Sequence, residues 1–290
     1  MKQIEASELI LNPDGSIYHL KLRPENIADD IILVGDPGRV EMVSSFFSKV
    51  DFKVQNREFV THTGTYNGKR VSVISTGIGC DNIDIVVNEL DALVNIDLEK
   101  RIPKDTHHSL NLVRIGTSGA LQADIPVDTP VISKITIGFD GLINFYAGRN
   151  SVCDLEFENA FVKHTGWNKI LPAPYVVHTK GGLFGKLSEG IRTGATIATG
   201  GFYGPQGRVL RLPIIDSEIN SKIEQFEFKG DKIINYEMES SAIYGLSALL
   251  GHDAVTLCAI IANRMRKEYS KDYKIFVKKL VQMVLDRLTA

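Results

Sequence analysis

The sequence predicts an α/β fold: one domain, residues 1–290, built on a largely parallel sheet with helices packed against it. Three observations predict it. Short β-branched apolar runs alternate with stretches of helical period, several of those runs end in glycine-bearing loops, and no repeat or low-complexity linker divides the 290 residues. A chain of this length is long for one core but common for a single α/β domain.

The elements follow in order. Ile31–Val34 reads as a buried strand, and Asp36 with Pro37 as the N-cap and first residue of a helix over Val40–Phe47. Val71–Ser75 is a second strand. Asn82–Asn95 carries Ile83, Val86, Val87, Leu90, Leu93 and Val94 at the spacing of a helix face. Leu112–Ile115 is a strand that should run into a Gly116–Gly119 loop. Further strands are expected at Val131–Ile137, Ala195–Ala198 and Val255–Ile261, and a helix over Glu237–Leu250. A final amphipathic helix places Tyr273, Phe276, Val277, Leu280, Val281, Val284, Leu285 and Leu288 on one stripe. Residues 96–111 and 140–174 read as loop-rich insertions or lids.

Composition excludes several classes of function. The formal net charge is −2, which leaves no basic surface for general nucleic-acid binding or an anionic membrane. The N-terminus MKQIEASELI is charged at once and lacks a signal-peptide core, and the longest apolar run, Ala254–Ala262, is about half of what spans a bilayer. Cys80, Cys153 and Cys258 are scattered and form no CxxC pair, which suits a reducing cytoplasm. The seven histidines show no HxxxH or HxxEH spacing, and the adjacent His107 and His108 point apart on any regular element. No bound transition metal is expected.

Ligands of open α/β sheets sit beyond the carboxyl ends of the strands. Gly35-Asp36-Pro37-Gly38-Arg39 stands at such an end. Gly35 lets a ligand approach the backbone and Arg39 can fork onto an oxyanion, although the same residues also make a plain strand-to-helix turn. Arg114 lies inside an apolar strand, where its charge must be paired, and Thr117 and Ser118 add hydroxyl donors. Neither loop matches GxxxxGK[ST] or GxGxxG, which rules out a P-loop or dinucleotide site. Glu237-Met238-Glu239 can chelate vicinal hydroxyls and pack a thioether on a sugar face; alternatively the two acids serve a helix N-terminus. In Phe202-Tyr203-Gly204-Pro205-Gln206-Gly207-Arg208, a phenyl ring can stack on a flat base. The glutamine amide matches an N–H and C=O edge, and the arginine can stabilise charge growing on base carbonyls.

Together GDPGRV, REF, STGIG, RIGTSGA, FYGPQGR, NYEMES and the ANR after the Val255 strand resemble the nucleoside phosphorylase family, and its pyrimidine branch in particular. The resemblance runs from about His19 to Arg264 in matching order. It implies a twisted, mixed, mostly parallel sheet, partly closed into a barrel and flanked by helices, and phosphorolysis of uridine with inorganic phosphate as co-substrate and no cofactor. It implies a phosphate site of Gly35, Arg39, Arg114 and Thr117, with Arg57 reaching in from a neighbouring subunit. Ribose would meet Glu237, Met238 and Glu239, with His19 again supplied by the neighbour. The base would meet Phe202, Gln206, Arg208 and Arg264, of which Gln206, Arg208 and Arg264 stabilise the leaving group. A homodimer is then the minimum unit and a hexamer a further assembly. A potassium ion between subunits would use Glu58, Ile78 and Asn82, where Asn82 stands in place of the family's serine.

Purine relatives carry an acid after the Val255-type strand to protonate the base at N7. Here Asn263-Arg264 occupies that place, and a uracil anion needs donors at its carbonyl oxygens instead. The rivals are a purine nucleoside phosphorylase, a nucleoside hydrolase of the same fold, and a non-catalytic nucleoside-binding protein.

Overall fold

The computed structural model describes residues 3–290, so the first two residues of the charged N-terminal segment lie outside the described residues. In chain order the strands and helices are β1 (Asp30–Val34), α1 (Pro37–Ser44), β2 (Lys49–Asn56), β3 (Phe59–Tyr66), β4 (Lys69–Ser75), α2 (Cys80–Asn95), β5 (Ile96–Asp97) and β6 (Ile102–Pro103). There follow β7 (Asn111–Ala120), β8 (Pro130–Gly138), α3 (Arg149–Val152), α4 (Leu155–Thr165), β9 (Tyr175–His178), α5 (Gly182–Leu187) and β10 (Arg192–Ala198). The chain ends with α6 (Ile219–Gln225), β11 (Glu227–Phe228), β12 (Asp231–Glu237), α7 (Ser240–Leu250), β13 (Asp253–Asn263), β14 (Glu268–Tyr269) and α8 (Tyr273–Thr289).

The main sheet runs β11-β12-β10-β8-β13-β7-β1-β4-β3-β2, and β12 also pairs with β7. That last pairing closes β12, β10, β8, β13 and β7 into a five-stranded barrel, with β1, β4, β3 and β2 continuing as an open wing. The β7–β1, β1–β4, β7–β13, β8–β10 and β10–β12 ladders are parallel, whereas β8–β13 and β7–β12 are antiparallel. The expected mixed and partly closed sheet is present; its barrel ladders are mostly parallel, while the β2–β3 and β3–β4 ladders of the wing and the β8–β9, β11–β12 and β13–β14 edges are antiparallel.

Burial on both faces explains the apolar strand runs. In β1, Ile31 and Leu33 pack with Ile83, Val86 and Leu90 of α2. Ile32 and Val34 point the other way, into a layer with Val40 of α1 and Val277, Leu280 and Val284 of α8. The cap of α1 forms as read: Asp36 accepts from the Gly38 amide at 2.9 Å.

Four expectations need correction. The Gly116–Gly119 stretch is not a loop: β7 continues to Ala120, because β12 closes on its end through the Tyr236–Gly119 and Asn235–Ala120 pairs. Glu237 does not begin a helix but ends β12, and α7 starts at Ser240. Residues 140–174 contain the helix α4, whose Phe157 and Phe161 pack against Ile135, Val176 and Ile197. Residues 96–111 are no lid. They form the β5–β6 hairpin and lead into the starting end of β7, where Leu110 O accepts from the Asp253 amide. No helix among the described residues is long and apolar enough to cross a membrane.

Candidate active site

The finishing ends of β1, β4, β7, β12 and β13 converge on one cavity of about 690 Å³. Of the expected residues, Gly35, Arg39, Glu58, Ile78, Asn82, Arg114, Thr117, Phe202, Gln206, Arg208, Glu237, Met238 and Glu239 all line it. Six separate stretches of chain therefore meet in one place.

Arg114 is the centre of one end. It is 4% exposed, its Nε donates to Glu237 at 3.1 Å, and its Nη2 donates to Glu239. The pairing demanded by an arginine in an apolar strand is thus met by the two carboxylates of the NYEMES segment. Burial opposes the charge of Arg114, but Glu239 and Glu237 outweigh it and hold the guanidinium firmly protonated. Glu239 responds in the opposite sense: burial raises its carboxyl, and Arg114 only partly offsets this because Glu237 shares the same guanidinium. Glu239 also accepts from the Gly79 amide at 2.8 Å. Nη1 of Arg114 is buried without a hydrogen-bond partner.

Arg39 lies beside this cluster and donates to the carbonyl of Ile115 at 3.1 Å. Burial and then the neighbouring Arg114 push its ionisation downward, so the two guanidiniums stress each other. An anion between them would relieve that stress. Gly35 cannot gain a side chain freely, since a Cβ there would stand 3.3 Å from Gly77 O. Glu237 is spent internally as well: its carboxylate accepts from the Glu239 amide at 3.0 Å and the Ser240 amide at 2.9 Å, which anchors the turn into α7.

The other end is the Phe202–Arg208 loop, folded over a short 3-10 turn at Gly204–Gln206. Gln206 is buried, and its Oε1 accepts from Arg208. Arg208 also donates to Phe202 O at 2.5 Å, and its guanidinium stacks 3.7 Å from the Phe202 ring centroid. Burial and the nearby Arg264 push Arg208 down to about 10. Arg264 lies behind the loop rather than in the cavity wall. It donates to Gln206 O at 2.6 Å, stands 5.6 Å from the Tyr236 ring centroid, and keeps a buried Nη2 without a partner. Asn263, which replaces the purine-type acid, is also turned away. Its amide donates to Gln122 O and Ile125 O at 2.9 and 2.7 Å.

Besides Arg264, two further expected residues are not in the cavity of their own chain. His19 pairs with Glu89 at 2.7 Å, and Arg57 sits in the β2–β3 turn at a left-handed φ of 53°, with its guanidinium 6.0 Å from the Tyr18 ring. Tyr236, Tyr269 and Thr199 were not singled out by the sequence reading. Tyr236 and Tyr269 line the cavity, and Thr199 accepts from Gln206 Nε2 at 3.0 Å. Tyr236 lies within a strand missed between charged ends, and a lone threonine carries no signal in sequence.

Away from the cavity, Asp91, His107 and His252 offer ligand atoms within 4.8 Å of one another. Spacing could not reveal this cluster, because the three lie on separate segments. Nδ1 of His252 accepts from the Leu110 amide at 3.2 Å, so the neutral ring keeps its proton on Nε2, 3.2 Å from Asp91. The His252 ring therefore faces Asp91 with an N–H and keeps no lone pair of its own for a metal.

The known proteins agree with this architecture. The family model described as the phosphorylase superfamily matches residues 29–289. A uridine phosphorylase of Thermococcus kodakarensis is 29% identical over 262 residues, 89% of this chain and 81% of the relative. A DeoD-type purine nucleoside phosphorylase of Listeria monocytogenes is 27% identical over 243 residues, 83% of this chain and 85% of the relative. The crystal structure of a Trypanosoma brucei nucleoside phosphorylase, described as showing uridine phosphorylase activity, superposes with a TM-score of 0.85 at 27% identity, covering 97% of this chain and 99% of that one. The chain belongs to the phosphorylase superfamily and is, with it, an enzyme of the pentosyltransferase class.

Proposed function

We propose that the enzyme cleaves uridine with inorganic phosphate to uracil and ribose 1-phosphate. The observation that carries the reading is the chemistry of the base end. Gln206 and Arg208 line it, Arg264 braces it from behind, and Asn263, at the place where purine relatives carry an acid, is turned away onto Gln122 O and Ile125 O. A purine leaving group wants an acid at N7, whereas a uracil anion wants donors at its carbonyl oxygens. The relatives named uridine phosphorylase support the same choice.

In this reading Gly35, Arg39, Arg114 and Thr117 hold phosphate against one face of the sugar, and the partnerless Nη1 of Arg114 supplies a buried donor for it. Glu237, Met238 and Glu239 hold the ribose, with Glu239 on its hydroxyls. Phosphate attacks as the base departs from the opposite face, through an oxocarbenium-like ribosyl cation with the electronic demand of glycoside cleavage. No covalent enzyme intermediate is needed, so the anomeric carbon inverts. Catalysis is positioning plus electrostatic stabilisation of the departing base by Gln206 and Arg208, with Arg264 bracing the loop through Gln206 O rather than meeting the base. His19 and Arg57, outside their own cavity, complete the site of a second copy. Glu58, Ile78 and Asn82 at the cavity wall are where a potassium ion would sit between copies.

The similarity to purine nucleoside phosphorylases, at nearly the same identity, favours a purine as the second reading. Purified enzyme given uridine or inosine, with and without phosphate, decides. Uracil release from uridine only with phosphate is the expected result. Preferential cleavage of inosine overturns the base assignment, and release without phosphate overturns phosphorolysis.

A further inference from the structure

Thr199 follows the last residue of β10 and belongs to none of the motifs above. Its side chain is fully buried, and its hydroxyl accepts from Gln206 Nε2 at 3.0 Å while donating to Gly201 O at 2.9 Å, with the carbonyl of Glu237 a more distant acceptor at 3.4 Å. A hydroxyl has one proton. With that proton committed to Gly201, the Thr199 oxygen can only accept from Gln206. On the other side of the same amide, Arg208, which can only donate, meets Gln206 Oε1. Turning the amide over would set its NH₂ against a guanidinium and its oxygen against a hydroxyl lone pair. Gln206 is 2% exposed, so the turned amide would give up two buried hydrogen bonds at once.

We infer that Thr199 is a positioning residue that fixes the donor–acceptor order of the Gln206 amide and thereby the enzyme's choice between bases. The inference rests on the function proposed above. In the observed order Gln206 retains one lone pair on Oε1 and one hydrogen on Nε2. A ring N–H can donate to the first while the adjacent carbonyl accepts from the second, which is the edge of uracil. Cytosine presents a lone pair at N3 instead and meets Oε1 acceptor to acceptor. Arg208 cannot be the sole lock, because the proposed reaction draws its guanidinium onto the base carbonyl. Thr199 holds the amide when Arg208 turns to the substrate.

The test is Thr199→Val, which keeps the shape and removes the acceptor, with Thr199→Ser as the conservative rescue and Thr199→Ala as a second deletion should the valine variant fold poorly. Loss of one such hydrogen bond lowers kcat/KM for uridine about fivefold, mainly through KM. The preference for uridine over cytidine, read as relative turnover or as the Ki of cytidine against uridine, falls by about tenfold, because a freed amide can donate to N3. Thr199→Ser restores both values. An unchanged uridine–cytidine preference in folded Thr199→Val or Thr199→Ala, or equal losses on both nucleosides, overturns the inference while leaving the proposed function standing. A wild-type enzyme that releases no uracil from uridine and phosphate overturns both.

Discussion

Arg114 and Glu239 form a buried ion pair in which the arginine also serves Glu237, so that one guanidinium answers two carboxylates and still keeps one nitrogen without a partner. The relationship ties the proposed phosphate end of the cavity to the ribose end. It also makes Arg114 structural as well as functional.

Arg114→Ala leaves two buried carboxylates without their cation. Removing one partner of such a pair typically costs about 3–5 kcal/mol, here softened where Glu239, already raised by burial, takes up a proton. Urea denaturation should show that loss, and phosphate-dependent turnover should disappear. A variant of native stability would mean that the charges are not coupled as the structure places them.

Arg208→Ala acts at the other end. Arg208 sits on the Phe202 ring and on Gln206, not in the core, so the fold should survive with an unaltered melting temperature. Uridine cleavage should fall by about 10²–10³, the usual effect of losing one donor to developing negative charge. Near-normal turnover sinks the assignment of the base site.

Gly207→Ala tests the loop itself. Gly207 has φ 68°, and a Cβ there would collide with the Asn220 amide, whose own oxygen accepts from the Tyr236 hydroxyl at 3.1 Å. Strain of about 1–3 kcal/mol should displace Gln206 and Arg208 from their positions. The expected result is a raised KM for uridine with little change in the KM for phosphate. Equal changes in both would show that the loop does not act on the base alone.

Complementation tests the shared site. Arg57 and His19 lie outside the cavity of their own chain, so Arg57→Ala and Arg208→Ala homo-oligomers should each be impaired. In a mixed dimer one of the two sites regains every wild-type group. Random mixing then returns about a quarter of wild-type activity, from half the dimers with half their sites intact. No recovery after co-refolding, with mixed dimers verified by mass, argues that Arg57 does not act across an interface.

Asp154 caps α4 by accepting from the Phe157 amide at 3.0 Å and pairs with His178 at 2.9 Å. Although burial works against its charge, these contacts hold its carboxyl below the ordinary 3.8. A lowered carboxylate stabilises the fold above its unfolded value and loses that contribution as pH falls through the folded one. Asp154→Ala should therefore cost about 1 kcal/mol at neutral pH, and the difference from wild type should narrow below pH 3.8, where the capping carboxylate becomes protonated. Paired denaturation curves at neutral and acid pH measure it.

Much of this protein is determined by its sequence alone. Local chemistry was enough for the strands at residues 31–34 and 71–75, the faces of α2 and α8, the Asp36–Pro37 cap, and the loop carrying Phe202, Gln206 and Arg208. Each of these depends on neighbours a few residues apart, through side-chain period, fixed φ or a capping oxygen. The tertiary structure decided what depends on distant partners. Glu237 ends a strand because β12 closes the barrel on β7, and the Gly116–Gly119 stretch stays in its strand for the same reason. Glycine composition argues for a loop until a partner strand satisfies the backbone. The unassigned stretch at 140–174 holds a helix because α4 finds an aromatic cluster to pack on. Distance likewise decided that Arg114 meets Glu237 and Glu239, more than a hundred residues away, and that Arg264 stands behind its loop instead of in the cavity. A sequence names the groups able to pair; only the closed barrel sets which of them are near enough, and dry enough, to do so.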